Sequence, residues 1–293
     1  MALAALGCSG SALAQDLPVH LVDGATWTIT SRRDTQATGP GGLEVGITVA
    51  TTKSLIWHAP DRLVVTTISA DVQRKGPPEL LPVQSLSVPV DLEVDEFLTP
   101  VSVRNMGEVV AATRSELLKS GMSVETLNDI VAESPDFLKS VAMGFITRDV
   151  VLISRGQDVF FEEGRSTYSE DQARATENGQ PVTWHITNTL DLYDPAAGRA
   201  VWTWSEAPDP ASLRDSLIER ARRKSPESVA SAEEAAAQMH PNSLRTCRSE
   251  IDIRSGFAVK IDCTQSSAMS FDDKTIQMVD RHTITQTLPE TTR

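Results

Sequence analysis

The sequence predicts an α+β fold dominated by β structure: a curved antiparallel sheet or open barrel built from hairpins, with about four helices packed against it. Three observations carry this expectation. First, the stretch 247–263 alternates strictly. Cys247, Ser249, Ile251, Ile253, Phe257, Val259, Ile261 and Cys263 fall on one face and Arg248, Glu250, Asp252, Arg254, Ala258, Lys260 and Asp262 on the other, as in a strand pair with one buried and one wet side. Second, the stretch 181–206 repeats the design with Trp184, Ile186, Leu190 and Leu192 before a turn and Ala200, Trp202 and Trp204 after it. Third, helical periodicity is confined to two regions, one in mid-chain and one near 209–240, so the βαβ alternation of parallel sheets is missing.

In chain order, Trp27 and Ile29 among Thr26, Thr28 and Thr30 mark a first strand over 24–32. The polar, Gly-rich 34–42 reads as a loop. Strands are expected over 43–52, 54–58 and 62–72, with Ala59-Pro60-Asp61 as a turn. The segment 73–82, which holds Lys75-Gly76-Pro77-Pro78, reads as a loop and 83–94 as a strand; Val88, Val90, Leu92 and Val94 lead through 95–100 to Val101 and Val103, a third and looser hairpin. Asn105 and Glu108 form a capping pair for a helix whose stop is Gly121. Ser123 starts a second helix, and Ser134-Pro135 restarts it with Pro at the first helical position. The β-branched run of 147–154, TRDVVLIS, reads as a strand, as does the segment around Val159-Phe160-Phe161. A connection over 164–179 holds a short strand near Tyr168. Asp209-Pro210 opens a helix, Ser225-Pro226 opens another that Pro241 stops, and 274–288 is the last strand.

Two hairpins are specific enough to set a register. In the first, Arg254-Ser255-Gly256 is a three-residue turn with Gly at the positive-φ position. Pairing Ile253 with Phe257 then places Ile251 opposite Val259, Glu250 opposite Lys260 and Arg248 opposite Asp262, with both charged pairs of opposite sign. The same register sets Cys247 opposite Cys263 and predicts a disulfide; two reduced core cysteines are the alternative. In the second hairpin, Asp194-Pro195-Ala196-Ala197-Gly198 is the turn. Leu192 is expected opposite Ala200, Leu190 opposite Trp202 and Asn188 opposite Trp204.

Composition bounds the rest. A chain of 293 residues with only 5% aromatics must build its core mainly from aliphatic side chains. A net charge of −13 argues against nucleic acid and anionic membrane surfaces as partners. Residues 1–14 are small and apolar and end in Ala12-Leu13-Ala14, the pattern of a signal peptidase site, so 15–293 is read as one mature domain, with 105–146 as a candidate helical insertion. Cys8 opens a lipoprotein alternative, but Ala5 stands where a lipobox has Leu. Cleavage after Ala14 leaves two cysteines, which matches a periplasmic or extracellular protein with one disulfide. No stretch of the mature chain has the length and apolarity of a membrane span.

No catalytic, metal or cofactor motif stands out. His20, His58, His185, His240 and His282 lack ligand spacing, and His185 and His282 are expected on polar strand faces. The acid pairs Glu162-Glu163, Glu233-Glu234 and Asp272-Asp273 read as solvated charge. Arg220, Arg222, Arg223 and Lys224 end a helix, where cations suit its dipole; they are also the candidate contact for an acidic partner or lipid headgroup. Trp184, Trp202 and Trp204 share one face of their hairpin. They are core by default, and the candidate wall of an apolar pocket otherwise.

The layout of a cleaved signal, a curved antiparallel sheet and helices able to close one side resembles the periplasmic lipid carriers of the lipoprotein-localisation (LolA/LolB) kind. The resemblance is one of architecture over most of the chain and matches no motif residue. It implies binding of an acyl chain or another apolar ligand, without chemistry and without a cofactor. The expectation is therefore a non-enzymatic envelope protein that binds a lipid-like small molecule or another envelope protein. A scaffold module without ligand is the alternative, and a hydrolase with an unrecognised site the third reading.

Overall fold

The computed structural model describes residues 21–75, 86–155, 166–174, 180–224, 240–271 and 274–289. The strands are β1 (Thr26–Gly39), β2 (Leu43–His58), β3 (Arg62–Lys75), β4 (Val90–Val94), β5 (Pro100–Val103), β6 (Thr167–Arg174), β7 (Val182–Asp194), β8 (Arg199–Pro208), β9 (His240–Asp252), β10 (Phe257–Phe271) and β11 (Lys274–Gln286). The helices are α1 (Met106–Lys119), α2 (Val124–Glu133), α3 (Phe137–Ser154) and α4 (Pro210–Lys224), with a 3-10 turn at Pro40–Gly42.

Among the described residues, all eleven strands form one antiparallel sheet that does not close, in the order β5-β4-β3-β2-β1-β11-β10-β9-β8-β7-β6. The chain thus lays down one meander, β1 to β5, passes through α1 to α3, and lays down a second, β6 to β11. The two join at the centre, where β1 pairs with β11. At the seam, the Thr28 and Thr287 backbones meet, with the Thr287 amide donating to the Thr28 carbonyl at 3.0 Å.

One face carries the core. Trp27 and Ile29 on β1, Leu55 on β2, Leu63 on β3, Leu92 on β4, Ile284 on β11, Ile261 on β10 and Trp202 and Trp204 on β8 are buried in the same cluster as Val109, Leu117, Leu127, Leu138, Ala142, Val150 and Ile153 of α1 to α3. Period-2 patterning on the strands meets period-3.6 patterning on the helices, and neither surface would be stable without the other.

Several expectations are corrected. The segment 147–154 is the last turns of α3 rather than a strand: its β-branched residues prefer strands locally, but Val150 and Ile153 gain their burial on the helix. The polar 34–39 continues β1 instead of looping, because its backbone pairs with β2 and β11 on both sides. Residues 43–58 form one strand rather than two, with a register shift at Thr52/Lys53. Asn105 does not cap α1 with its side chain; its amide donates to the Pro89 carbonyl and to Glu108, and its Oδ1 accepts from the Asp91 backbone, tying the helix to β4. Helix α3 begins at Phe137, two residues beyond Pro135. Ser123 does cap α2, accepting from the Thr126 amide at 3.0 Å, Gly121 ends α1 at φ 103°, and α4 starts at Pro210 with Asp209 accepting from the Ser212 amide at 2.7 Å. The signal segment 1–14, the strand around 159–161 and the helix expected from Ser225-Pro226 lie outside the described residues.

The hairpin registers hold away from the turns and slip by one residue near them. Cys263 faces Cys247, Asp262 faces Arg248 and Lys260 faces Glu250, as expected; a bulge at Val259 then moves Ala258 opposite Ile251 and Phe257 opposite Asp252. Ala258, expected on the wet face, is buried as a result. In the second hairpin Leu190 faces Trp202 and Asn188 faces Trp204, but a bulge after Leu190 sets Leu192 opposite Val201 and leaves Leu192 exposed. Such bulges re-aim side chains and strengthen the local twist. The charges also pair along the strands: Arg248 with Glu250 at 2.9 Å and Lys260 with Asp262 at 2.7 Å.

Candidate ligand pocket

The disulfide between Cys247 and Cys263 joins β9 to β10 on the inner face, with Cα atoms 4.0 Å apart. Beyond it the inner face changes character. Towards one end of the strands its residues are apolar; towards the other they are Ser31 and Arg33 on β1, Thr51 and Lys53 on β2, Asp280 and His282 on β11, Gln265 on β10, Arg245 on β9 and Glu206 on β8. Helix α3 lies over this boundary and inserts Asp149 into it.

Asp149 is the hub of a buried cluster. Lys53 Nζ donates to its Oδ2 at 2.6 Å, Ser31 Oγ donates to the same oxygen at 3.2 Å, and His282 Nε2 lies 3.0 Å from Oδ1. Ser31 and Thr51 share a hydroxyl bond at 2.8 Å. Burial alone would raise the Asp149 pKa, but the Lys53 charge and the His282 hydrogen bond outweigh it and hold the carboxyl well below its ordinary range. Four strand positions and one helix position are thereby locked together. His282, expected on a polar face, is inward and buried, because β11 turns its even positions, Asp280 to Ile284, to the core.

Next to this cluster is a pocket of about 230 Å³ lined by Arg33, Arg148, Val151, Leu152, Arg245, Cys263, Gln265, Asp280 and His282. Two of its guanidinium groups are fixed. Arg33 grips Asp280 through Nε at 2.7 Å and Nη2 at 2.6 Å, and Thr35 donates to the same carboxylate at 2.9 Å. Burial pushes the Asp280 pKa up, yet the Arg33 and Thr35 bonds bring it below the usual carboxylate value. Arg245 donates to Glu206 at 2.9 Å and to Gln265 at 2.7 Å. Glu206, with 2% of its side chain exposed, also takes Arg174 at 2.9 Å and Arg155 at 3.2 Å. The third, Arg148 on α3, is exposed and has no hydrogen-bond or ion-pair partner among the described residues. Burial of its surroundings and the neighbouring Arg33 charge lower its pKa.

No protein-family model and no curated protein matches the chain. Its likeness is to solved structures. Lipovitellin, in a structure of its lipid–protein interactions, matches 94% of this chain at 8% identity with a TM-score of 0.51, and the chain spans about a quarter (26%) of the lipovitellin chain. OccK2 of Pseudomonas aeruginosa (7% identity, 92% of this chain and 98% of that one, TM-score 0.22) and an outer-membrane channel of Pseudomonas putida F1 (8% identity, 92% and 97%, TM-score 0.24) are far weaker likenesses. At these identities, the first comparison speaks to the fold alone.

Of the residues singled out from the sequence, Cys263 and His282 line this pocket and the tryptophans do not. Trp202 and Trp204 are each 1% exposed. Their rings are 6.2 Å apart, and the Arg155 guanidinium covers Trp204 at 4.1 Å. They are packed core and do not line the pocket, so the role of pocket wall expected for them has no support in their packing. Trp184 is half-buried, with Arg174 over its ring at 4.9 Å. Of the basic run, Arg222 is exposed and pairs with Glu219 at 3.9 Å; Arg220, Arg223 and Lys224 belong to α4, and their side chains lie outside the described residues. His185 is on the outer, exposed side of β7, 2.6 Å from Asp171. Among the described residues no group of His, Cys, Asp and Glu is arranged to hold a metal ion, and no helix is long and apolar enough to cross a membrane. Sequence reasoning missed Arg33, Arg148, Arg245 and Asp149. The available signal was an ionisable residue at an inward strand position in Lys53, Asp280 and Arg33, each in phase with apolar neighbours.

Proposed function

We propose that this chain is a non-enzymatic protein of the bacterial envelope, periplasmic or secreted, that holds a lipid-like ligand against the inner face of its sheet. The observation that carries the reading is the pocket beside α3, where apolar side chains (Val151, Leu152) and fixed charged groups (Arg33, Asp280, Arg245) line one concavity. Convergent polar groups on a partly apolar wall suit a ligand with a polar end and an apolar remainder. Two further facts support it. The pocket reaches the surface at Val151, which is 39% exposed, so an apolar tail can leave it without a closed cavity having to form. The fold is also similar to that of a region of lipovitellin, whose structure concerns lipid–protein interactions. A disulfide between β9 and β10 suits an oxidising compartment.

Native mass spectrometry of the protein purified from its own envelope tests the reading. An added mass that leaves on denaturation and extracts into organic solvent is the expected result. A clean polypeptide mass, together with no uptake of a fluorescent fatty acid by the purified chain, would replace this reading with that of a scaffold module.

A further inference from the structure

We infer that the pocket beside α3 is an oxyanion site, in which Arg33, Arg148 and Arg245 receive the phosphate or carboxylate group of the ligand. This names the ligand class of the pocket and rests on the reading above.

Three guanidinium groups against one lining carboxylate, Asp280, is an unusual concentration of positive charge in a chain of net charge −13. Two of the three are held in place by their own partners: Arg33 by both oxygens of Asp280, and Arg245 by Glu206 and Gln265. Each guanidinium has five donors, and these bonds leave some of them unused. Arg148 spends none on the described residues and shares the pocket with two like charges. Arg33 and Arg245 have their own carboxylates, Asp280 and Glu206, and Arg148 adds a further positive charge beside them; an anion at Arg148 offsets that added charge and gains charge-assisted bonds from planar forks that suit phosphate and carboxylate. A pocket of about 230 Å³ is below the range of about 300–1,000 Å³ that encloses a drug-sized ligand. It therefore fits a headgroup, with the remainder of the molecule leaving past Val151, which is 39% exposed. The shared chemistry is a tetrahedral or planar oxyanion. Its source is either an anionic amphiphile or a free ion.

Isothermal titration of the full chain with inorganic phosphate, dodecyl phosphate and dodecyl maltoside, each below its micellar concentration, tests this. Arg148→Gln and Arg148→Lys are compared with Arg281→Gln, an equal charge change at an exposed position outside the pocket. The expected result is dodecyl phosphate binding that weakens about tenfold or more in R148Q, is partly restored in R148K and is unchanged in R281Q. Phosphate binding with the same variant pattern but no gain from the dodecyl chain upholds the oxyanion site, makes a free ion its ligand and overturns the lipid-like reading. Equal binding of dodecyl phosphate and dodecyl maltoside, indifferent to R148Q, overturns the oxyanion site and leaves the lipid-like reading standing. Binding of none of the three overturns both. Equal weakening in R148Q and R281Q reduces the effect to net charge and also overturns the site.

Discussion

Lys53 Nζ and Asp149 Oδ2 meet at 2.6 Å with about 5% of each side chain exposed, which places a full ion pair between sheet and helix in the interior of the protein. Such a pair is costly to bury but far more costly to break. Removing one partner leaves a buried charge without a counterion, a loss of about 3–5 kcal/mol, while replacing both by apolar residues is often close to neutral. Lys53→Met and Asp149→Leu are each expected to lose stability in that range. The double variant K53M/D149L should recover most of it. Urea unfolding of the three variants measures this; additive losses in the double variant would contradict the assignment.

Asp149 and Asp280 both have folded-state pKa values below the ordinary 3.8. A depressed carboxylate pKa adds stability above its unfolded value, and that stability is lost as the pH falls through the folded value. The urea midpoint should therefore hold steady as pH falls to about 4 and then drop. In D280N the drop should be shallower, because one of the linked protons is gone. A drop of unchanged steepness in D280N would remove Asp280 from this account.

The disulfide closes a short loop, with a sequence separation of 16 between Cys247 and Cys263. Chain-entropy arguments assign a loop of that size about 3 kcal/mol. C247A/C263A should fold with the β9–β10 register intact and lose about that much stability. Denaturant unfolding of the oxidised protein and the double variant gives the difference. A variant as stable as the parent would mean that the paired strands alone already fix the loop.

Trp202 is fully buried between its neighbours on β8 and the rest of the core. Trp202→Ala should cost about 3–5 kcal/mol, as truncation of a large core aromatic does. Measured at a temperature where the variant remains folded, its affinity for dodecyl phosphate should match that of the parent. A selective loss of ligand affinity without loss of stability would return Trp202 to the binding site.

The sheet was legible because alternation reports it directly: Cys247 faces Cys263, Leu190 faces Trp202 and Asn188 faces Trp204, as their side chains predict. What escaped was whatever depends on partners far away in sequence. Val150 and Ile153 look like strand residues until the helix that buries them is seen, and the bulges at Val259 and after Leu190 each insert one residue into an otherwise regular pairing, which strict alternation does not anticipate. The pocket was the least visible. Arg33, Arg148 and Arg245 come from three distant segments, and each alone is an ordinary surface residue type. The Trp hairpin attracted notice because aromatic residues are scarce here, but scarcity and burial both follow from core packing.

The seam between β1 and β11 joins the beginning and the end of the described chain, with Ile29 opposite Gln286. As the chain emerges from its N-terminal side, the first meander must therefore wait with β1 as an unpaired edge until β11 has followed. Contacts of such large sequence separation form slowly, and an edge left open meanwhile is open to pairing with another chain. The cluster of Asp149 with Ser31, Lys53 and His282 spans that same seam. It is therefore a late-closing clasp, completed only once β11 has docked. A circular permutant joined near Thr28 and Thr287 and opened between α3 and β6 would make the seam local, and should refold faster and aggregate less than the natural order of strands.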